Sequence, residues 1–135
     1  MEGKPHGQGT ATKANGDVFT GQFVQGVVTG QGTLRSNVDG QTYEGTFLNN
    51  KFHGNGLQTM ANGDTYKGMF LQGKRQGYGV YTRTKYGMKY EGEFVAGKMH
   101  GVCTETNLGK NRSRKGVWEN GHFTEEILEM ASPEE

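Results

Sequence analysis

The residues best suited to chemistry in this chain of 135 are four histidines and a single cysteine. His6, His53 and His100 share one setting, each standing directly before a glycine. If they lie on a sheet, equivalent positions in successive hairpins are roughly 10 Å apart, because strands are spaced ~4.8 Å. A zinc ion needs its ligands at roughly 2 Å, so these histidines make no metal site. His122 is isolated. Cys103 stands where sister positions carry glycine, and no histidine is spaced to activate it. His100, three residues away, points to the opposite face of a strand. Gly-x-Gly pairs suggest phosphate loops, but no Gly-x-Gly-x-x-Gly or Walker lysine motif follows them. The acids Glu44, Asp64, Glu91 and Glu93 show no convergent pairing. The sequence therefore offers no catalytic residue, metal or cofactor, and the expectation is a protein that is not an enzyme.

What does organise the chain is glycine. Gly21, Gly45, Gly68, Gly92 and Gly116 are spaced 24, 23, 24 and 24 residues apart. Three further series run in step: Gly7, Gly30, Gly54, Gly77, Gly101; Gly9, Gly32, Gly56, Gly79, broken by Cys103; and Gly16, Gly40, Gly63, Gly87. Self-similarity at a fixed period is the mark of a repeat architecture, which presents a long surface suited to binding.

One unit reads Tyr66-x-Gly68-x-Phe70, then Gly73-Lys74, then Gly77-x-Gly79. Tyr43, Gly45, Phe47 and Tyr90, Gly92, Phe94 repeat its opening. Phe19, Gly21, Phe23 vary it, and Gly116 with Trp118 is a degraded copy. This resembles the MORN repeat over residues 3–122. On a strand the opening tyrosine, glycine and phenylalanine share one face. A ring can then lie over a bare glycine of the neighbouring strand. Gly26, Asn50, Gly73, Gly97 and Gly121 fall between strand pairs, where positive φ is tolerated in hairpin turns. The expected fold is all-β: an elongated, twisted, single-layer antiparallel sheet of about five consecutive hairpins. The array is expected over 1–122, with an acidic tail over 123–135. In that tail Thr124 and the following acids predict a short capping helix. Ala11, Lys13, Ser36, Gln58 and Glu105 stand where the family often has apolar residues.

Composition agrees with this reading. There are 24 glycines and 2 prolines, and hydrophobic residues make up 31%, low for a compact domain but enough for a single layer. No apolar stretch is long enough to span a membrane, and one cysteine allows no internal disulfide. A cytoplasmic protein is expected. The chain opens on the second half of a repeat at residues 3–9, which reads as a fragment of a longer protein or as a natural start. Either way an unpaired edge strand is expected, and with it a homodimer through sheet edges.

Charge is segregated. Residues 74–115 hold ten basic and three acidic side chains, net +7, while the six acids after residue 115 stand alone. Lys74, Arg75, Lys85, Lys89, Lys110, Arg112, Arg114 and Lys115 are the candidate anion-binding residues. With nothing covering either face, some rings should stay exposed, and Tyr43, Phe47, Tyr66, Phe70, Tyr90 and Phe94 are the candidate lining of a partner-binding groove. The resemblance implies a non-catalytic scaffold that holds a segment of a motor, cytoskeletal or scaffold protein in a cytoskeletal or membrane-associated assembly. Two alternatives are a module tethered to phosphoinositide or another anionic phospholipid, and a regulatory segment of a larger enzyme. No nucleic-acid partner is expected.

Overall fold

Period-two alternation broken by regularly placed glycines should give short strands and tight turns, and it does. The structure, a computed structural model, describes residues 7–128. The strands are β1 (Gly7–Thr12), β2 (Val18–Val24), β3 (Val27–Arg35), β4 (Thr42–Leu48), β5 (Lys51–Thr59) and β6 (Thr65–Leu71). They continue as β7 (Lys74–Arg83), β8 (Met88–Val95), β9 (Lys98–Met99), β10 (Gly101–Asn107), β11 (Arg112–Glu119) and β12 (His122–Ile127). All belong to one antiparallel sheet in sequence order, with β9 and β10 both pairing β8. A 3-10 turn, Thr84–Tyr86, interrupts the loop before β8.

Five two-residue turns close the hairpins, and both residues of each have positive φ. Gln25-Gly26, Asn49-Asn50, Gln72-Gly73, Ala96-Gly97 and Asn120-Gly121 have first-residue φ values of 49–51°. This is the mirror-image type I turn, whose twist matches that of the strands. The turns also stack on one another. The N–H of Asn50, Gly73, Gly97 and Gly121 donates to the carbonyl of Val28, Phe52, Arg75 and Met99 in the preceding hairpin, at 2.8–2.9 Å.

At the opposite strand ends, aspartates join neighbouring units. The Asp17 carboxylate accepts the Asn37 N–H at 2.8 Å, and that of Asp64 accepts the Thr84 N–H at 3.2 Å. Asp64 is buried, and the Tyr81 hydroxyl donates to it at 3.2 Å. Burial and the Asp64 carboxylate both push the Tyr81 hydroxyl pKa up.

The register slips between Gly21 and Phe23, between Gly45 and Phe47, and between Gly68 and Phe70. The facing strand carries two extra residues at each slip. Gly30, Gly54 and Gly77 lie in these bulges at φ of 75–99°, which is why glycine recurs there.

All the large buried side chains lie on one face of the sheet. Phe23, Tyr43, Phe47, Tyr66, Phe70, Phe94 and Trp118 form a continuous ladder with Val28, Met99 and Cys103. The expectation that rings stay exposed for want of a covering layer is therefore corrected: twist and bulges fold each ring onto its neighbours. The expected C-terminal helix is also corrected. Residues 122–127 form β12, paired with β11, so the sheet runs past residue 122. The remainder of that helix, 129–131, lies outside the described residues, as does the opening segment 1–6.

Two substitutions test this architecture. Ala96 is exposed and sits at φ 51°. Ala96→Asn should stabilise the sheet by about 1 kcal/mol, since alanine is disfavoured there and Asn-Gly is the preferred pair. A side chain on Gly68 would meet the Cα of Gly79 at 2.5 Å and the Tyr78 carbonyl at 2.6 Å. Gly68→Val should cost about 3 kcal/mol or more, because backbone rather than a mobile ring blocks it. Thermal melts of both variants should move in opposite directions.

Candidate functional site

The two faces of the sheet differ in what they can offer a partner. On the inner face the unit of construction is a tyrosine laid over a glycine. A Cβ on Gly56 would collide with the Tyr43 ring, and one on Gly79 with the Tyr66 ring. The Tyr43 hydroxyl donates to the Thr46 carbonyl at 2.7 Å and that of Tyr66 to the Met69 carbonyl at 2.9 Å. Edge-to-face contacts link the cells. Tyr43 meets Phe70 at 5.1 Å and Tyr66 meets Phe94 at 4.9 Å, while Tyr43 stacks flat on Phe52 at 3.8 Å. Burial pushes the pKa of both tyrosines up to about 12.

The repeat at Tyr90 solves the same problem differently. Cys103 replaces the covered glycine and is buried. Its Sγ lies 3.9 Å from the His100 carbonyl and also meets the backbone of Glu93. The Tyr43 hydroxyl meets the backbone of the matching residues, His53 and Thr46. The thiol thus stands where the hydroxyl stands elsewhere, and Tyr90 turns its own hydroxyl towards Glu105. Burial pushes the Cys103 pKa up, which disfavours the thiolate form.

The six rings expected to line a groove are therefore placed otherwise. Tyr43, Phe47, Tyr66, Phe70 and Phe94 are buried, and Tyr90 is half-buried. Their apolar area is already spent on one another.

The candidate anion-binding residues are dispersed. Arg75 is structural: its guanidinium lies 5.2 Å from the Tyr66 ring and 5.0 Å from that of Tyr81, and its Nε donates to Gln58 at 3.1 Å. Gln58, one of the polar departures from family habit, thus helps close the end of the ring ladder. Lys89 pairs with Glu91 at 3.4 Å. Arg114 pairs with Glu105 at 2.5 Å and covers the Phe123 ring. Lys115 is half-buried on β11, and Lys74 is exposed beside a hairpin turn. Lys85 and Lys110 are exposed on adjoining inter-unit loops, joined where the Leu108 N–H donates to the Gly87 carbonyl at 2.7 Å, and Arg112 is exposed at the start of β11.

The outer face holds a groove of about 910 Å³ that includes Glu44, Leu57, Lys67, Met69, Tyr78 and Val80. Glu44, Leu57, Lys67, Val80 and Glu91 form one row in direct register across β4 to β8. Met69 and Tyr78 are exposed beside it. The glycine and ring period does not assemble Met69 and Val80 with Leu57 and Tyr78. The alternation of Leu57, Lys67 and Val80 with the ring positions was the available signal.

Among the described residues no group of three or more histidine, cysteine, aspartate or glutamate side chains is placed to hold a metal ion. His53 is half-buried, with Nδ1 enclosed and unpartnered among the described residues, and His100 and His122 are exposed. His6 lies outside the described residues.

The cells make a pH prediction. The Tyr43 and Tyr66 hydroxyls have pKa values raised from 10 to about 12 by folding. Their contribution to stability is complete below pH 10 and is lost as pH rises towards 12. Melting temperature should fall across that window. Tyr66→Phe should cost about 1–2 kcal/mol at neutral pH and flatten the alkaline fall. Tyr90→Phe should cost less than half as much, because its hydroxyl faces a side chain. Equal losses for the two variants would contradict the cell geometry.

Comparison with protein-family models matches the MORN repeat at residues 1–18, 19–38, 43–65, 66–88 and 90–107. Comparison with the curated proteins yields no match. Among the described residues no helix is long and apolar enough to cross a membrane. The five matched segments cover most of the chain and follow the observed hairpin order, two of them holding the cells of Tyr43 over Gly56 and Tyr66 over Gly79, and the chain belongs to the MORN-repeat family.

Proposed function

We propose that this protein is a non-catalytic scaffold that holds a segment of a partner protein in the outer-face groove across β4 to β7, in a cytoskeletal or membrane-associated assembly. MORN repeats are generally protein- or membrane-binding modules. The observation that carries the reading is the groove itself. Leu57, Met69, Tyr78 and Val80 line it around Glu44 and Lys67, on the face that the core does not need. Aromatic and apolar anchors in a concave site flanked by charges are the make-up of a binding hot spot. Glu44 and Lys67 favour a segment that itself carries both signs of charge.

A second reading rests on a separate surface. Arg83 at the end of β7, Arg112 at the start of β11, and Lys85, Tyr86, Leu108 and Lys110 on the adjoining loops are all exposed at one border of the sheet. The Arg83 guanidinium lies 4.4 Å from the Tyr86 ring. Basic side chains beside an exposed tyrosine and leucine suit an anionic lipid surface.

One experiment separates them. Protein captured from the native cell is compared for the wild type, Tyr78→Ala with Met69→Asp, and Lys85→Glu with Lys110→Glu. Each form is also sedimented with vesicles with and without an anionic phosphoinositide. Both changes are at exposed positions, so folding should survive, as a thermal melt would verify. The groove variant should weaken capture by about 1–3 kcal/mol and leave sedimentation unchanged. If the loop variant alone loses binding, and loses it to vesicles, the membrane reading replaces the groove.

A further inference from the structure

We infer that the segment held in the outer-face groove is a polyproline II helix that lies across the strands and carries a basic, an acidic and a basic residue at every third position. This rests on the groove being the binding site, and gives its occupant a conformation and a charge order. The observation that carries it is the row that crosses β4 to β8 in direct register: Glu44, Leu57, Lys67, Val80, Glu91. Charged and apolar side chains alternate strand by strand, and the charged ones alternate in sign. Strands lie ~4.8 Å apart, so a charge recurs every ~9.6 Å along the row. A polyproline II helix has about three residues per turn and rises ~3.1 Å per residue, or ~9.3 Å per turn. Its residues i, i+3 and i+6 stand on one edge and fall over Glu44, Lys67 and Glu91, with a drift of ~0.6 Å across two turns. The prolines between them rest on Leu57 and Val80, with Met69 and Tyr78 exposed alongside.

Other conformations match the row less well. An extended strand turns alternate side chains to opposite faces, so residues three apart cannot both meet the row. An α-helix reaches the spacing at the heptad, ~10.5 Å, and drifts ~1.8 Å over the same two repeats. It also satisfies its own backbone, whereas polyproline II leaves its carbonyls in need of donors. The groove presents such donors in the Lys67 ammonium, the Asn55 amide and the Tyr78 hydroxyl, all on exposed residues. The Tyr78 hydroxyl donates to Glu91 Oε2 at 3.5 Å, a long bond that a peptide carbonyl can replace. Glu91 also pairs with Lys89 at 3.4 Å, so the basic residue over Glu44 should matter more than the one over Glu91. A proline helix is already ordered before it binds, which lowers the entropic cost of holding it on an open face.

The test uses the full chain, isotope-labelled for NMR, and the nonapeptide Arg-Pro-Pro-Glu-Pro-Pro-Arg-Pro-Pro. The peptide should shift the Leu57, Lys67, Met69 and Val80 amides saturably. The charge-inverted peptide Glu-Pro-Pro-Arg-Pro-Pro-Glu-Pro-Pro should bind about tenfold more weakly or worse, and the difference should shrink at high salt. Lys67 is exposed, so Lys67→Glu should keep the fold. That variant should instead prefer the peptide with arginine in place of the central glutamate. A helical peptide with the same three charges at seven-residue steps should not compete. The inference is overturned if charge order does not affect binding, if Lys67→Glu leaves the preference unchanged, or if the helical peptide shifts these amides more strongly. In the last case the groove stands and its occupant is an α-helix. If neither peptide shifts the groove amides, the inference also falls, and Tyr78→Ala with Met69→Asp decides the groove separately: it stands if that variant loses capture from the native cell and falls if capture is retained.

Discussion

Everything in this sheet depends on a tyrosine ring having an empty place to lie. A single layer has no opposing layer to bury its apolar face, so the hydrophobic term must be gained within the layer. Removing the side chain from one strand lets the ring of the next lie down rather than stand up. Tyr43 over Gly56 and Tyr66 over Gly79 do this, and the ring's one polar atom finds a backbone carbonyl three residues along. The phenylalanine of the same strand then packs edge-on against the flattened ring. Glycine is thus not a weak point of these strands. It is the half of the core that consists of absence.

The same constraint divides labour between the faces. Because the rings are buried against each other, the inner face has little left to offer a ligand, and the outer face is free of core duty. Its side chains answer only to local pairing, which is why Glu44, Lys67 and Glu91 can share a row with Leu57 and Val80. The cell at Tyr90 shows that the packing rule concerns volume rather than identity. A cysteine fills the vacant space from one side where a tyrosine fills it from the other.

The glycine period made the hairpin order, the turns and the ring-over-glycine contact legible in the sequence. It did not reveal that Gln25, Gln72 and Ala96 take left-handed conformations, since none is a residue that prefers them; the turn geometry imposes it. The last strand was misjudged for a related reason. Thr124, Glu125 and Glu126 favour a helix start locally, but Phe123 follows Gly121 as Phe52 follows Asn50, and its ring covers Gly116. Pairing and that one ring outweigh helix propensity, which is a weak preference. The groove rings were misplaced because strand alternation tells which residues share a face but not whether the face folds onto itself. That outcome depends on the bulges at Gly30, Gly54 and Gly77, which are tertiary features.

The stacked turns have a mechanical meaning. Successive hairpins are tied at one border by turn-to-strand bonds such as Gly73 to Phe52 and at the other by Thr84 to Asp64. Tension applied between the first and last strands acts across the ladder, opening it pair by pair like a zip rather than shearing many bonds at once. Each hairpin that peels away leaves behind a strand edge ready to guide its return. An assembly anchored through both ends of such an array would yield in small, reversible steps of one repeat, and so would possess an extensible joint rather than a rigid strut.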